Sequence, residues 1–235
     1  MHIKILDDVD SVAFEAARII AAEARTAVAE RGRFIVAFSG GSTPKQMLRA
    51  LAGEDVPWGS VHVVQVDERV APAGDPDRNL IQLRESLLEH TSLPSEQLYA
   101  MPVESSDLRA AAMRYAATLR ELAGSPPVLD LAHLGLGTDG HTASLVPDDP
   151  VLNVNAADVA VTGIYQQRQR MTLTYPMLNR SRRILWLITG NDKAEILLRL
   201  RNGDVTIPAG RICRDNALVI IDQAAAGLME IIAAT

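Results

Sequence analysis

Arg33-Phe34-Ile35-Val36-Ala37-Phe38-Ser39-Gly40-Gly41-Ser42-Thr43-Pro44-Lys45-Gln46 reads as a strand, a glycine turn and a helix start in immediate succession. Residues 33–38 are a nearly unbroken apolar run, which suits a strand covered on both faces. Thr43 fits an N-cap, Pro44 the first helical position, and Gln46 the far side of a capping box. The helix predicted over 44–52 ends at Gly53. Between strand and helix, Gly40 and Gly41 allow a tight turn whose free amides, with the helix dipole behind them, would face an anion. Gly40, Gly41, Ser42 and Thr43 are therefore a candidate anion cradle. A plain turn before a well-capped helix is the alternative. The Gly-Lys-Ser/Thr ending of a P-loop is missing.

The same grammar repeats along the chain. Strands are predicted over 2–6, 33–38, 61–66, 128–136, 158–161, 170–174, 184–189 and 217–221. Helices are predicted over 11–31, 44–52, 79–89, 108–123 and 192–201, most of them closed by a glycine. This alternation predicts an α/β fold, a Rossmann-like and largely parallel sheet with helices on both faces. In such sheets ligands bind at the carboxyl ends of the strands. Residues 1–235 read as one domain without internal repeats, and 147–169 read mostly as loops.

Composition narrows the function classes. Of 235 residues, 23 are Lys or Arg and 29 are Asp or Glu, a formal net charge of −6. A hydrophobic share of 48% with 22% charged residues is globular rather than disordered. The acidic balance argues against nucleic acid as a partner. Cys213 is the only cysteine, so no intrachain disulfide can form. The amino terminus lacks the basic-then-apolar layout of a signal peptide, and no apolar run approaches the ~20 residues of a membrane span. A cytoplasmic protein is expected. With no paired cysteines and no His-Glu-x-x-His, neither a metal nor another cofactor is expected.

Polar, chemistry-bearing residues follow the predicted strands directly. After 61–66 comes Asp67-Glu68-Arg69, read either as a surface ion pair or as a carboxylate and a guanidinium aimed into a cleft. After 128–136 comes Gly137-Thr138-Asp139-Gly140-His141-Thr142. After 184–188 comes Thr189-Gly190-Asn191-Asp192-Lys193. His141, two residues from Asp139 in a glycine-rich turn, could be a general base or could merely cap a helix. Gly135-Leu136-Gly137-Thr138-Asp139-Gly140 is a literal G-x-G-x-x-G, but Pro147 and Pro150 leave no room for the long helix a dinucleotide fingerprint opens. Lys193, Arg170 and Arg182 flank strands and could clamp a phosphate. His62 and His133 sit in strand patterns and read as packed or hydrogen-bonded.

Taken in order, Ser39-Gly40-Gly41-Ser42-Thr43-Pro44, Asp67-Glu68-Arg69 with Asn79 following, the Gly135-to-Leu145 segment, Arg170-Met171-Thr172-Leu173-Thr174 and Thr189-Gly190-Asn191-Asp192-Lys193-Ala194 resemble the 6-phosphogluconolactonase family. That family is part of a wider group with the glucosamine-6-phosphate deaminases. The resemblance implies hydrolysis of 6-phospho-D-glucono-1,5-lactone to 6-phospho-D-gluconate, the second step of the oxidative pentose phosphate pathway, without metal or cofactor. By the same resemblance His141 activates water, Asp67 shares its cleft, and the glycine loop with Lys193 holds the phosphate. Arg69 and Arg170 add positive charge. Asp139 or Asp67 would orient the imidazole. The deaminases carry a Glu five residues after this His, where this chain has Val146. A deaminase or isomerase, or a non-catalytic sugar-phosphate sensor, is the alternative reading. The expected partner is a small phosphorylated sugar lactone, with no nucleic acid and no membrane, and the chain is expected as a monomer or a dimer. The run Arg180-Ser181-Arg182-Arg183 is more basic than the resemblance explains.

Overall fold

A computed structural model describes residues 1–227, the side chain of Ser42 excepted. The elements run β1 (His2–Leu6), α1 (Val9–Arg31), β2 (Phe34–Phe38), α2 (Ser42–Ala52), β3 (Val61–Gln65), β4 (Asp67–Arg69), α3 (Asn79–Ser86), β5 (Leu98–Tyr99), α4 (Leu108–Ala123), β6 (Leu131–Leu134), β7 (Val159–Val161), β8 (Arg170–Leu173), α5 (Tyr175–Asn179), β9 (Arg183–Ile188), α6 (Ala194–Arg201) and β10 (Ala217–Asp222).

Seven strands form one sheet in the order β1-β10-β9-β6-β2-β3-β5, and every pairing in it is parallel. Period-2 alternation distributes β2 between two cores. Phe34, Val36 and Phe38 pack with α1, α2 and α3, whereas Ile35 and Ala37 pack with α4 and α6 on the other face. The chain order reverses between β2 and β6, so the loops after these neighbouring strands diverge from one crevice.

Helix α1 shows how local signals set the ends. Asp8 caps it, accepting from the Ser11 N–H at 2.7 Å, so it starts at Val9 rather than at 11. Gly32 closes it at φ 75°, a conformation glycine adopts without steric cost. Its small buried stripe includes Val12, Ala16, Ile20, Ala24 and Ala27.

Four expectations need correction. The strands predicted over 158–161 and 170–174 do not join the parallel sheet. They are β7 and β8, and with β4 they make a three-stranded antiparallel sheet. Only residues 162–169 separate β7 from β8, too few for a parallel crossover. Strand β4 itself, at Asp67–Arg69, was expected as a loop tip; the chain bends at Val66, whose N–H bonds Phe38 O in one sheet and whose carbonyl accepts from Leu173 N in the other. The predicted capping box does not form: Gly41, at φ 130°, is the N-cap of α2 and turns the chain into the helix before Thr43. The predicted ends of α3 and α6 tighten into 3-10 turns at Leu88–His90 and Asn191–Lys193.

Candidate active site

Strand β4 alternates its side chains between two jobs. Glu68, fully buried, points back into the protein. It accepts from the backbone N–H groups of Asn79 and Leu80 at 2.8 and 2.9 Å and pairs with Arg78 Nε at 3.2 Å. It thereby anchors the start of α3. Asp67 and Arg69 point the other way, into the cleft.

The register of the small sheet places Arg69 directly opposite Arg170. Like charges facing each other across an antiparallel pair are destabilising unless something negative lies between them. Arg170 is buried; its Nη2 donates to Gln166 Oε1 at 3.0 Å, and its Nε has no protein partner. Burial lowers its pKa, assisted by Arg69, while Asp67 opposes the shift. Asp67 is buried as well. Its Oδ2 accepts from Ser144 Oγ at 2.6 Å and its Oδ1 from Asn79 Nδ2 at 3.2 Å. Burial raises its pKa above the ordinary carboxylate value, against Ser144, Arg69 and Arg170.

The loop after β6 holds the imidazole. Asp139 Oδ1 lies 2.6 Å from His141 Nδ1 and accepts from the His141 backbone N–H at 3.1 Å. Asp139 Oδ2 accepts from Tyr165 Oη at 2.9 Å. Burial opposes it, but the bonds from His141 and Tyr165 hold the Asp139 pKa below its ordinary value, so Asp139 is a carboxylate. A carboxylate can only accept, so Nδ1 carries the hydrogen of the neutral ring and Nε2 carries the lone pair. The question left open by the sequence is thus answered: Asp139, not Asp67, partners His141. The glycines here serve packing. A Cβ on Gly140 would lie 2.7 Å from Ile207 Cβ, and no helix follows the turn.

Loops after β2 and β9 build the opposite wall. Thr43 Oγ1 and Thr189 Oγ1 meet at 3.0 Å and tie the amino end of α2 to the turn that carries Lys193. Gly41 N–H is taken by Gln82 Oε1 at 3.0 Å, and no side chain caps α2. Lys193 Nζ stands 3.4 Å from Asp192 Oδ2.

Gly40, Gly41, Thr43, Asp67, Arg69, His141, Arg170 and Lys193 therefore border one cleft of about 320 Å³. Asp139 stands behind His141. Ser42, also expected there, lies outside the described side chains. The basic run resolves into structural ion pairs at the amino ends of the strands: Arg180 with Asp158, Arg182 with Asp130, Arg183 with Glu23. His133 is buried against Ser39 Oγ at 3.1 Å, and His62 Nδ1 meets Tyr99 Oη at 3.1 Å. The sequence reading missed Ser144, Tyr165 and Gln166. Ser144 lay unassigned inside a quoted motif, and the other two lay in a stretch read as loop.

Fold and site together define a parallel α/β protein with a cationic, glycine-lined cleft at its topological switch point. Residues 7–220 match the profile of the glucosamine-6-phosphate isomerases/6-phosphogluconolactonase family, and the chain belongs to that family. It is 31% identical over 232 residues to a 6-phosphogluconolactonase of Nostoc sp., covering 96% of each chain. It is similar to the crystal structure of a 6-phosphogluconolactonase from Thermotoga maritima, with TM-score 0.82 and 26% identity over 94% of this chain and 98% of that one. A monomeric glucosamine-6-phosphate deaminase shares the fold at TM-score 0.86 and 22% identity, over 97% of this chain and 100% of that one.

Proposed function

We propose that the protein hydrolyses 6-phospho-D-glucono-1,5-lactone to 6-phospho-D-gluconate in the cytoplasm. The observation that carries this reading is a carboxylate-held imidazole opening onto the same cleft as Lys193, Arg69 and Arg170. Val146 supports the lactonase over the deaminase: it is buried and apolar, and cannot move a proton.

A lactone carbonyl is already electrophilic, so the site must orient substrate, deprotonate water and receive an oxyanion. The phosphate lies against Lys193 and the uncapped amino end of α2, where a dianion meets both a point charge and free N–H groups. This fixes C1 in front of His141. Nε2 takes a proton from water as the hydroxide adds to C1, and Asp139 stabilises the imidazolium that forms. The oxyanion lies beside Arg170. The N–H groups of Gly137, Gly140 and His141 cannot serve, because each is already bonded within the turn. When the ring C–O bond breaks, the departing alkoxide takes the proton from Nε2.

Lactone made in place from glucose 6-phosphate should disappear faster with the purified protein than spontaneously. His141→Asn should lower kcat by about 10²–10⁴-fold. No acceleration, or ammonia release from glucosamine 6-phosphate, would refute the assignment.

A further inference from the structure

Tyr165 lies 24 residues beyond His141 in the chain, in the hairpin between β7 and β8, and three contacts bring it to the reacting dyad. Its hydroxyl donates to Asp139 Oδ2 at 2.9 Å and lies 3.4 Å from His141 Nδ1. Its ring packs edge-on against the imidazole, with centroids 5.5 Å apart. The Arg170 guanidinium lies over the same ring, 4.9 Å from its centroid. Tyr165 thus touches the base side and the cationic side of the cleft at once.

The backbone that presents it is strained. Tyr165 and Arg168 bridge across a two-residue turn made by Gln166 and Gln167, at φ 48° and 67°. Both values belong to the left-handed region that turns of this kind normally fill with Asn and Gly. A glycine-free pair persists there only when surrounding contacts hold it. Here Gln166 Oε1 accepts from Arg170 and Gln166 Nε2 donates to Tyr165 Oη at 3.4 Å.

We infer that Tyr165 is a positioning residue for the reaction: its hydroxyl locks the Asp139 carboxylate so that the other oxygen keeps His141 in the Nδ1–H form. Asp139 sits in a turn with its side chain about one-third exposed. Without the second anchor, that carboxylate can rotate into water and release the ring. The charged groups that line the cleft with His141 are Arg170 from β8, Asp67 and Arg69 from β4, and Lys193. None of them bonds Asp139: the His141 backbone N–H holds Oδ1, and among the described residues Tyr165 alone holds Oδ2.

The kinetic half of the test rests on the lactonase reading; a spectroscopic half does not. Tyr165→Phe removes one oxygen and keeps both ring contacts. It should lower kcat about tenfold with KM within twofold, the loss of one hydrogen bond to a charged group. In an Asp139→Asn background the same change should add nothing, whereas a merely structural role would add its full effect. Nitrogen-15 spectra of the His141 ring at alkaline pH should show the Nδ1–H tautomer in the native chain and a shift toward Nε2–H in Tyr165→Phe. Identical ring-nitrogen spectra would overturn the inference even if the lactone were not the substrate. Unchanged kcat, or additivity with Asp139→Asn, would overturn it where the lactone is.

Discussion

Gly137 vacates the space that His141 occupies: a Cβ built on Gly137 would lie 2.0 Å from His141 Nδ1 and 2.7 Å from Asp139 Oδ1. The middle glycine of the dinucleotide-like motif is here a steric provision for an acid–imidazole pair. Gly137 is not among the residues at positive φ, so its backbone would accept alanine and the conflict is with the side chains alone. Gly137→Ala should therefore push the ring off Asp139. We expect kcat to fall on the order of 10²-fold while the melting temperature changes by only a few degrees. Native kcat in a folded variant would contradict this packing account.

Lys193 is expected to act on the substrate's phosphate, remote from the bond that breaks. Interactions made equally in the ground and transition states appear in KM. Lys193→Ala should raise KM tenfold or more, about 1.5–3 kcal/mol for a charged hydrogen bond, and alter kcat little. A KM within twofold of the native value would remove Lys193 from the phosphate site.

Glu68 carries no chemistry despite its place between two cleft residues. It holds Gln65, the first N–H groups of α3 and the buried Arg78. Taking one partner from a buried ion pair leaves the other charge uncompensated, at a cost of about 3–5 kcal/mol. Glu68→Ala should lower the melting temperature on the order of 10 °C. A melting curve superimposing on the native one would show that α3 is anchored elsewhere.

His133 gives a pH signature of stability. Burial lowers its pKa to about 3, from an ordinary 6.5. Between those values the unfolded chain binds a proton that the folded chain refuses. The linkage makes stability fall as the pH drops through 6.5, by about 1.4 kcal/mol per pH unit from this group alone. His133→Gln should flatten the acid side of the stability profile between pH 6.5 and the onset of acid unfolding. Parallel profiles for the two chains would assign the acid sensitivity to other groups.

Six of the seven strands of the main sheet were readable because their signals are local; the two-residue edge strand β5 and the short helix α5 were not. The apolar runs of β2, β9 and β10 and the glycine after α1 depend on neighbours in the chain, and the structure keeps them within a residue or two. The convergence of strand tips followed from the parallel arrangement. The small sheet was readable only in part: β7 and β8 were expected as strands, but neither β4 nor the antiparallel pairing was. β4 is three residues long and has a charged sequence, and its strand character comes from pairing with β8, about a hundred residues later. The N-cap failed for a related reason: Thr43 met Thr189, a partner no sequence window contains.

Order of residues along the chain was therefore sufficient for the parallel α/β layer, for the polar loops at its strand ends, and for the candidacy of Asp139 and His141, because each rests on spacing within one segment. Which carboxylate holds the imidazole, why Arg69 faces Arg170, and how Tyr165 reaches Asp139 were settled only on folding. Those relations join segments tens of residues apart, and hydrogen bonds and charges act through distances in space that sequence separation does not encode.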